Sequence, residues 1–470
     1  MGNRFIGVQI GPQSLLDEGV DHCLDLLQET AGVNALLVYS HSYYGAQGRP
    51  PEVLAPDHGV PVLDERNRNL TKVWVNHHES AFKGTFLRHP RSSHQEYGDR
   101  DIVEELLAPA RKRGMKVLTR FLEPCQQGTV LDIPNWVKIL STDVYGRLYP
   151  TPCWNHPDYR NFWLSTTEDL FRSYPLDGMQ YGAERVGPLS NVLLKGQVPA
   201  CFCQHCCDRA GRKGINSERA RTGYRKLYEF IKGQEDGQQS PTDGNMTEIL
   251  RTLFKYPEIL SWEYEFHQAR EDMTKLLYGA VKALRPDALF GVHIDHQQST
   301  WDIFQRAEIE YAEVAGYCDF VKPILYHDIA GPRIRRWHLD KVKDTVFREV
   351  TLKQSLDLFY DFMGLDKKRE PDLDSLDTTG FSPDYVYRMT RRLVEGVDGK
   401  ALVYPGIGFD IPWNNRHFPS NPATIQEAIV QSFRAGAQGI VLSREYGEMR
   451  LESLKAVGRA VRSLGGEIGS

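Results

Sequence analysis

The chain has 470 residues, of which 41% are hydrophobic and 25% are charged, with 40 glycines and 26 prolines. This is the composition of a globular protein with a large core, and it excludes the disordered, collagen-like and coiled-coil classes. The 57 Lys and Arg against 62 Asp and Glu give a net charge of −5, which argues against a nucleic-acid partner. No apolar run approaches the roughly 20 residues of a membrane helix, so we expect a cytoplasmic protein without a membrane partner. The sequence leaves open whether the chain forms a homo-oligomer.

Short apolar runs rich in β-forming residues recur along the whole chain, and most are followed by a polar loop and then a helical pattern. Several follow a glycine or turn residue that ends the preceding helix, as in Arg113-Gly114-Met115. This alternation, closed by a helix over 451–464, predicts a single (β/α)8 TIM barrel over residues 1–470. The eight predicted strands are 5–10, 35–39, 116–121, 178–181, 289–294, 320–326, 402–407 and 439–443.

Two of the predicted connections are long, namely 40–101 after the second strand and 185–287 after the fourth. Long connections in a barrel usually overhang the C-terminal mouth, where substrates bind. We therefore expect two insertions at the mouth. The first strand is followed by Ile10-Gly11-Pro12 instead of a Gly-x-Gly-x-x-Gly loop, so a dinucleotide site is not predicted.

Carboxylates follow six of the eight predicted strands. Catalytic groups of barrels lie at the C-terminal strand ends, and glycoside hydrolysis needs two carboxyl groups there. We predict Glu184 as general acid/base because the second insertion begins directly after it, with Asp410, or else Glu445 or Asp295, as its partner. Capping of a helix is the alternative role for each of them. The six residues are Glu123, Glu184, Asp295, Asp328, Asp410 and Glu445.

Aromatic and imidazole side chains are concentrated after the same strands. Aromatic rings stack on the faces of sugars, while polar side chains bond the hydroxyls, so the pattern indicates a carbohydrate cleft. The alternative is that the aromatic rings only cover the barrel core. The predicted substrate-binding residues are Glu123, His41, Tyr43, His77, His293, His296, Tyr326, His327, Asp328 and Trp413.

Histidines beside carboxylates give a second hypothesis, a metal-dependent sugar isomerase, epimerase or hydrolase. Its ligands would be His293, Asp295 and His296 after the fifth strand, with His327 and Asp328 after the sixth. Strand alternation points His296 away from the other two, which weakens this set. A non-catalytic carbohydrate-binding barrel is the third hypothesis.

Four of the eight cysteines lie within seven consecutive positions. Cys201, Cys203 and Cys206 can turn onto one ion, and a fourth ligand would complete a tetrahedral structural zinc site. Cys153 is the best remote candidate for that ligand. Such an ion would fix the second insertion over the mouth without doing chemistry itself. The substitutes for Cys153 are Cys207, Cys125 and His205.

The basic run at 333–336 contains three arginines in four positions. Such runs usually lie on a solvated helix face, which is the interpretation we favour. The alternative is that the run holds a carboxylate of the substrate, which would admit uronic-acid substrates.

The glutamate after the fourth strand and the cysteine cluster together resemble the catalytic barrel of the family 42 β-galactosidases. The matching segments are Ala183-Glu184-Arg185, the cluster at 201–206 and the segment 153–160. The family has Asn where Ala183 stands, and a nucleophilic Glu on the seventh strand where this chain has Gly408-Phe409-Asp410. Galactose specificity is therefore not predicted, and a more distant barrel glycosidase group is expected. The resemblance implies Glu184 as acid/base and four zinc ligands, which are Cys153, Cys201, Cys203 and Cys206.

Overall fold

The computed structural model describes residues 4–42, 57–58, 72–89, 97–123, 133–413 and 419–466. Strands and helices alternate over most of this length. The strands are β1 Phe5–Ile10, β2 Ala35–Val38, β3 His41–Ser42, β4 Lys72–Val73, β5 Lys116–Leu122, β6 Leu140–Thr142, β7 Leu148–Pro152, β8 Gly178–Gly182, β9 Leu289–Ile294, β10 Phe320–Pro323, β11 Leu402–Val403, β12 Gly406–Gly408 and β13 Gly439–Ser443.

Nine of these strands form one sheet in the order β11-β10-β9-β8-β5-β2-β1-β13-β12, with parallel pairing throughout. The outermost strands of this order, β11 and β12, are consecutive in the chain. In addition, Ile324 after β10 bridges to Gly406 of β12. The sheet is therefore curled as in an α/β barrel. The pairs β3–β4 and β6–β7 are antiparallel and lie outside it.

Helices follow most strands of the sheet. They are α1 Pro12–Glu18, α2 Val20–Ala31, α3 Ile102–Lys112, α4 Pro157–Ser173, α5 Pro188–Lys195, α6 Gln204–Arg212, α7 Ser217–Glu235, α8 Asn245–Lys255, α9 Glu258–Leu284, α10 Ile303–Glu308, α11 Tyr311–Val314, α12 His327–Ile334, α13 Asp340–Val342, α14 Leu352–Met363, α15 Pro383–Val397, α16 Pro422–Arg434 and α17 Leu451–Gly466. None of the helices in the described ranges is both long and apolar enough to cross a bilayer.

Local sequence explains where these elements begin and end. All residues of β2, Ala-Leu-Leu-Val, are buried, as expected for a strand covered on both faces. Helix α3 begins after Asp101, whose side chain accepts a hydrogen bond from the backbone N–H of Glu104. Helix α2 ends at Gly32, whose φ of 73° is a left-handed conformation that favours glycine.

The predicted strands agree with the structure except at two places. The predicted strand 320–326 ends at Pro323, and the predicted strand 402–407 is divided into β11 and β12 by Tyr404 and Pro405. Both differences occur at prolines, which have no N–H to donate to a neighbouring strand. Each of the other predicted runs contains one strand of the sheet.

The connection from β8 to β9 contains five helices, α5 to α9, and has an apolar cluster of its own. At its centre the ring of Phe202 stacks on Trp262 of α9, with centroids 4.8 Å apart and an interplanar angle of 9°. Tyr224 of α7 is fully buried against the same ring of Phe202. The helices of this connection are therefore packed around an apolar cluster that is separate from the main core and that also includes Val144 and Val342.

Candidate active site

A layer of buried polar side chains lies inside the barrel, near the C-terminal ends of its strands. Arg120 on β5 donates from Nε to Gln180 Oε1 on β8 at 3.1 Å. Lys322 on β10 donates from Nζ to Ser443 Oγ on β13 at 2.7 Å. All four side chains are buried. Two basic side chains thus lie in the barrel interior.

Glu184, two residues after β8, lies at the same end of the barrel. Its carboxylate is 3.0 Å from His293 Nε2, and because an ionised carboxylate can only accept, the imidazole donates this hydrogen bond. His293 is buried, whereas the Glu184 side chain is 31% exposed. Gly182 leaves room for the imidazole, since a Cβ at Gly182 would lie 2.8 Å from the Cβ of His293. The carboxylate of Glu184 is therefore accessible to solvent while it is hydrogen-bonded to a buried histidine.

The charges around Glu184 determine its ionisation. Burial raises the pKa of this carboxyl, but the hydrogen bond from His293 and the positive charges of Arg120 and Lys322 outweigh burial and lower the pKa to about 2. Desolvation lowers the pKa of His293 to about 4. Burial and the nearby Arg120 lower the pKa of Lys322, and the charge of Glu184 opposes that shift. At neutral pH Glu184 is therefore ionised and His293 is neutral.

Three other predicted carboxyl residues have shifts of the opposite sign. Burial raises the pKa of Asp295, Asp328 and Glu445 to about 7 in each case. For Asp295 the negative charge of Glu184 adds to the effect of burial. An ionised carboxylate together with carboxyl groups that keep a proton close to neutral pH is the combination that acid–base chemistry requires.

A cavity of about 270 Å³ opens beside Glu184. This volume is close to the lower end of the range for small-molecule sites, which begins at about 300 Å³. Its polar lining is supplied largely by the connection that follows β8. The lining includes Tyr149, Thr151, Glu184, Arg185, Asn191, Lys195, Gln197 and Phe266.

Two of the predicted site carboxylates are buried and paired with an arginine. Asp410 accepts hydrogen bonds from Arg450 through Nε at 2.9 Å and through the backbone N at 2.9 Å. Glu123 accepts from Trp154 Nε1 at 2.8 Å, and also from Arg185 and Tyr181. Both carboxylates are buried. These contacts are those of structural ion pairs within the fold.

His41 and His77 belong to a largely buried histidine cluster that includes His89. Their Nε2 atoms are 2.8 Å apart, and His77 Nδ1 is 2.7 Å from Asp169. The ligand atoms of the three histidines lie within 4.8 Å of one another, as in a metal site. The rings of His77 and His89, however, stack with an interplanar angle of 13°, so their in-plane lone pairs do not converge. The cluster is best described as a hydrogen-bond network.

The remaining predicted substrate-binding residues are divided among different surroundings. His296, Tyr326 and Trp413 lie together around Arg333. His327 is buried, and Asp328 accepts a hydrogen bond from Ser420. Tyr43 lies outside the described residues.

The ligand set of the second hypothesis does not assemble. Among the described residues, two groups are spaced closely enough to hold an ion. Neither group contains His293, Asp295, His296, His327 or Asp328. Instead, His293 bonds Glu184, and His296 Nε2 lies 2.6 Å from Arg333 Nη1.

Four cysteine sulfurs lie within 4.8 Å of one another, and they belong to Cys153, Cys201, Cys203 and Cys206. The sulfur of Cys153 is 3.5 Å from that of Cys206 and 3.4 Å from that of Cys203. A tetrahedral zinc site with bonds of about 2.3 Å would place its sulfurs about 3.8 Å apart, so this donor set fits zinc. The N–H groups of Thr142 and Asn155 point at two of the sulfurs, at 3.4 and 3.3 Å. Hydrogen bonds of this kind stabilise thiolate ligands.

Two solved β-galactosidases have a similar fold. The enzyme from the psychrophilic Marinomonas ef1 aligns with a TM-score of 0.52 and 11% identity, over 99% of this chain and 60% of that one. The enzyme from the Antarctic haloarchaeon Halorubrum lacusprofundi aligns with a TM-score of 0.51 and 13% identity, over 98% and 58%. The sequence matches no protein-family model and no curated protein. The resemblance to a β-galactosidase barrel is thus confirmed at the level of the fold, and the chain spans about three fifths of the length of these enzymes.

Arg120 and Lys322, which support Glu184 from within the barrel, were not among the predicted site residues. Both are charged residues within the buried stretches of their strands, and that placement is the signal that could have identified them. A charged side chain is rarely fully buried unless it has a specific role. Arg333 was also missed as a buried residue, since the basic run favoured a solvated helix face. The structure corrects that interpretation for Arg333, whereas Arg336 is exposed as expected.

The buried pair of Glu123 and Arg185 gives a prediction about stability. Glu123→Gln leaves the Arg185 guanidinium buried without its carboxylate, so we expect the free energy of unfolding to fall by about 3–5 kcal/mol. Urea unfolding followed by circular dichroism measures this. Glu218→Gln is the matched control, because the Glu218 side chain is 76% exposed. Equal stability of the two variants would contradict a structural role for Glu123.

Proposed function

We propose that the protein is a glycoside hydrolase with an eight-stranded (β/α)8 barrel, and that it cleaves its substrate at the C-terminal mouth of that barrel. The observation that carries this proposal is Glu184, a partly exposed and ionised carboxylate beside a cavity of about 270 Å³. Counting β11 and β12 as one strand gives the eight-stranded barrel. The fold shared with two β-galactosidases supports a glycosidic substrate.

In this proposal Glu184 is the nucleophile, or the base that activates water. The resemblance to family 42 implies an acid/base role for this residue, but a carboxyl with a pKa of about 2 has no proton to donate at neutral pH. An ionised carboxylate can attack the anomeric carbon or accept a proton from water. The neutral His293 keeps the carboxylate oriented through its Nε2–H.

Glu445 is the candidate for the general acid. It follows β13, is partly exposed, and its Oε1 accepts a hydrogen bond from the N–H of Gly11 at 2.8 Å. Its raised pKa, about 7, keeps it protonated up to neutral pH. The charge of Arg120 lowers the pKa of both Glu445 and Glu184, so one guanidinium acts on both carboxyl groups.

Asp295 is the alternative general acid. Its pKa is also about 7, and the charge of Glu184 contributes to that shift. Asp295 is, however, only 2% exposed, and its Oδ1 accepts hydrogen bonds from the backbone N–H groups of Gln297 and Gln298. Glu445 is therefore better placed to reach a bound sugar.

The four clustered cysteines are the proposed ligands of a structural zinc ion. Cys201, Cys203 and Cys206 belong to the connection after β8, and Cys153 lies directly after β7. A bound ion would link two segments that both line the cavity beside Glu184. In this proposal it supplies a crosslink and takes no part in the reaction.

The first test replaces the central carboxylate. Glu184→Gln should lower kcat by a factor of about 10² or more on any glycoside that the wild type cleaves, because the amide neither attacks nor accepts a proton. A panel of 4-nitrophenyl glycosides and oligosaccharides measures this, with Glu218→Gln as the control. Wild-type rates for Glu184→Gln would contradict the proposal, and sugar binding without turnover by the wild type would favour the non-catalytic barrel.

The second test uses pH. An acid is active only while protonated, so a group with a pKa of about 7 should make kcat/KM fall about tenfold per pH unit above pH 7. Glu184 stays ionised over this range and adds no change. Glu445→Gln should lower activity and remove the alkaline fall, whereas Asp295→Asn should retain it. If Asp295→Asn removed the alkaline fall and Glu445→Gln retained it, the acid role would belong to Asp295.

The third test concerns the metal. We expect elemental analysis to find one zinc ion per chain in the wild type and none in Cys201→Ser, which should also melt at a lower temperature. Cys207→Ser is the matched control, because the Cys207 sulfur points toward the Phe202 carbonyl oxygen at 3.7 Å. A zinc-free wild type, or loss of zinc from Cys207→Ser, would contradict this ligand set.

A further inference from the structure

Arg333 is a buried guanidinium surrounded by aromatic rings. It lies on α12 and is 6% exposed. The carbon at the centre of its guanidinium lies 4.9 Å from the ring centroid of Trp337, 5.5 Å from that of Tyr326 and 5.8 Å from that of Trp413. Such contacts stabilise a cation but leave the edge of the guanidinium able to donate hydrogen bonds.

No carboxylate pairs with Arg333 among the residues that the structure describes. Its Nη1 lies 2.6 Å from His296 Nε2, and its buried Nε has no hydrogen-bond partner. Burial lowers the pKa of Arg333 to about 10, so the group is still a cation at neutral pH. Arg185 shows the usual arrangement, since that buried guanidinium is paired with Glu123. A buried cation without an anionic partner is costly, which is the state expected of a binding group awaiting its ligand.

Arg333 lies at the same end of the barrel as Glu184. Helix α12 begins directly after Tyr326, whose hydroxyl is 2.7 Å from Ser443 Oγ in the polar layer of the barrel. The positive charge of Arg444 and the negative charges of Glu184 and Asp328 all act on Arg333. Trp337, one wall around the guanidinium, is 40% exposed. Glu184 and this aromatic wall are therefore both partly exposed at the same end of the barrel.

We propose that Arg333 binds the carboxylate of a uronic acid, so that the substrate is a uronide. The inference rests on the proposed glycosidase function and names its substrate class. A planar carboxylate matches two N–H donors of one guanidinium, and the aromatic rings would pack against the C–H face of the sugar. The basic run thus combines an anion-binding residue, Arg333, with the outer residues Arg335 and Arg336.

The experiment compares substrates that differ only at C6. The wild type should cleave 4-nitrophenyl glucuronides or galacturonides with a kcat/KM at least about 10² times that for the matching glucoside or galactoside, because the neutral sugar leaves Arg333 unpaired. Arg333→Gln should lower kcat/KM on the uronide by a similar factor and change the neutral substrate less than about threefold. Arg335→Gln, which removes one of the two ion pairs of Asp340, should behave as the wild type.

Two further measurements keep the outcome decisive. Should Arg333→Gln fail to fold, Arg333→Lys keeps the charge without the planar fork, and it should still lose most of the uronide preference. Should the wild type cleave no glycoside, calorimetric binding of free glucuronate and galacturonate to the wild type, abolished in Arg333→Gln, would support the subsite although the glycosidase proposal fails.

Three results would overturn the inference. The first is equal activity of the wild type on the acidic and neutral members of a pair. The second is a preference for a 6-sulfated sugar over the uronide, which would assign the site to another anion. The third is an equal loss on both substrates in Arg333→Gln, which would make Arg333 a structural residue.

Discussion

The hydrogen bond from buried His293 to Glu184 is the interaction on which the candidate site depends. It holds the partly exposed carboxylate of Glu184 at the barrel mouth. It acts together with the positive charges of Arg120 and Lys322. Without these contacts burial would favour the protonated form of Glu184. The ionised state of this one carboxylate then influences its surroundings, because it raises the pKa of Asp295 and opposes the desolvation of Lys322.

The barrel accommodates this site by placing polar groups inside a sheet that is otherwise apolar. Arg120 on β5 and Lys322 on β10 occupy buried positions where an aliphatic residue is usual. Arg120 is hydrogen-bonded to the neutral Gln180, and Lys322 is hydrogen-bonded to the neutral Ser443. Neutral partners accept these hydrogen bonds without cancelling the positive charge. The charge therefore remains available to act on Glu184. The same principle applies to Arg333, which has a neutral imidazole and aromatic rings as neighbours.

The parts of the structure that the sequence predicted are those set by local patterns. Strand positions follow from apolar runs between turn residues, and part of the cluster of cysteine sulfurs follows from the close spacing of Cys201, Cys203 and Cys206. The role of a strand-end carboxylate depends instead on which cation packs beside it from a distant segment. Asp410 could not be recognised as the partner of Arg450, which lies 40 positions away. The burial of Arg333 could not be predicted either, because Trp413, which packs beside it, is 80 positions away in the sequence.

The central claim is that Glu184 is ionised in the free protein, and the most direct measurement is a pH titration of its carboxyl carbon by ¹³C NMR. Protein labelled at the glutamate side-chain carboxyl carbon would be used, and the signal missing in Glu184→Gln would identify the residue. We predict that this signal keeps the chemical shift of a carboxylate down to about pH 3, in line with a pKa of about 2. A titration midpoint at or above the ordinary glutamate value of 4.5 would contradict the account.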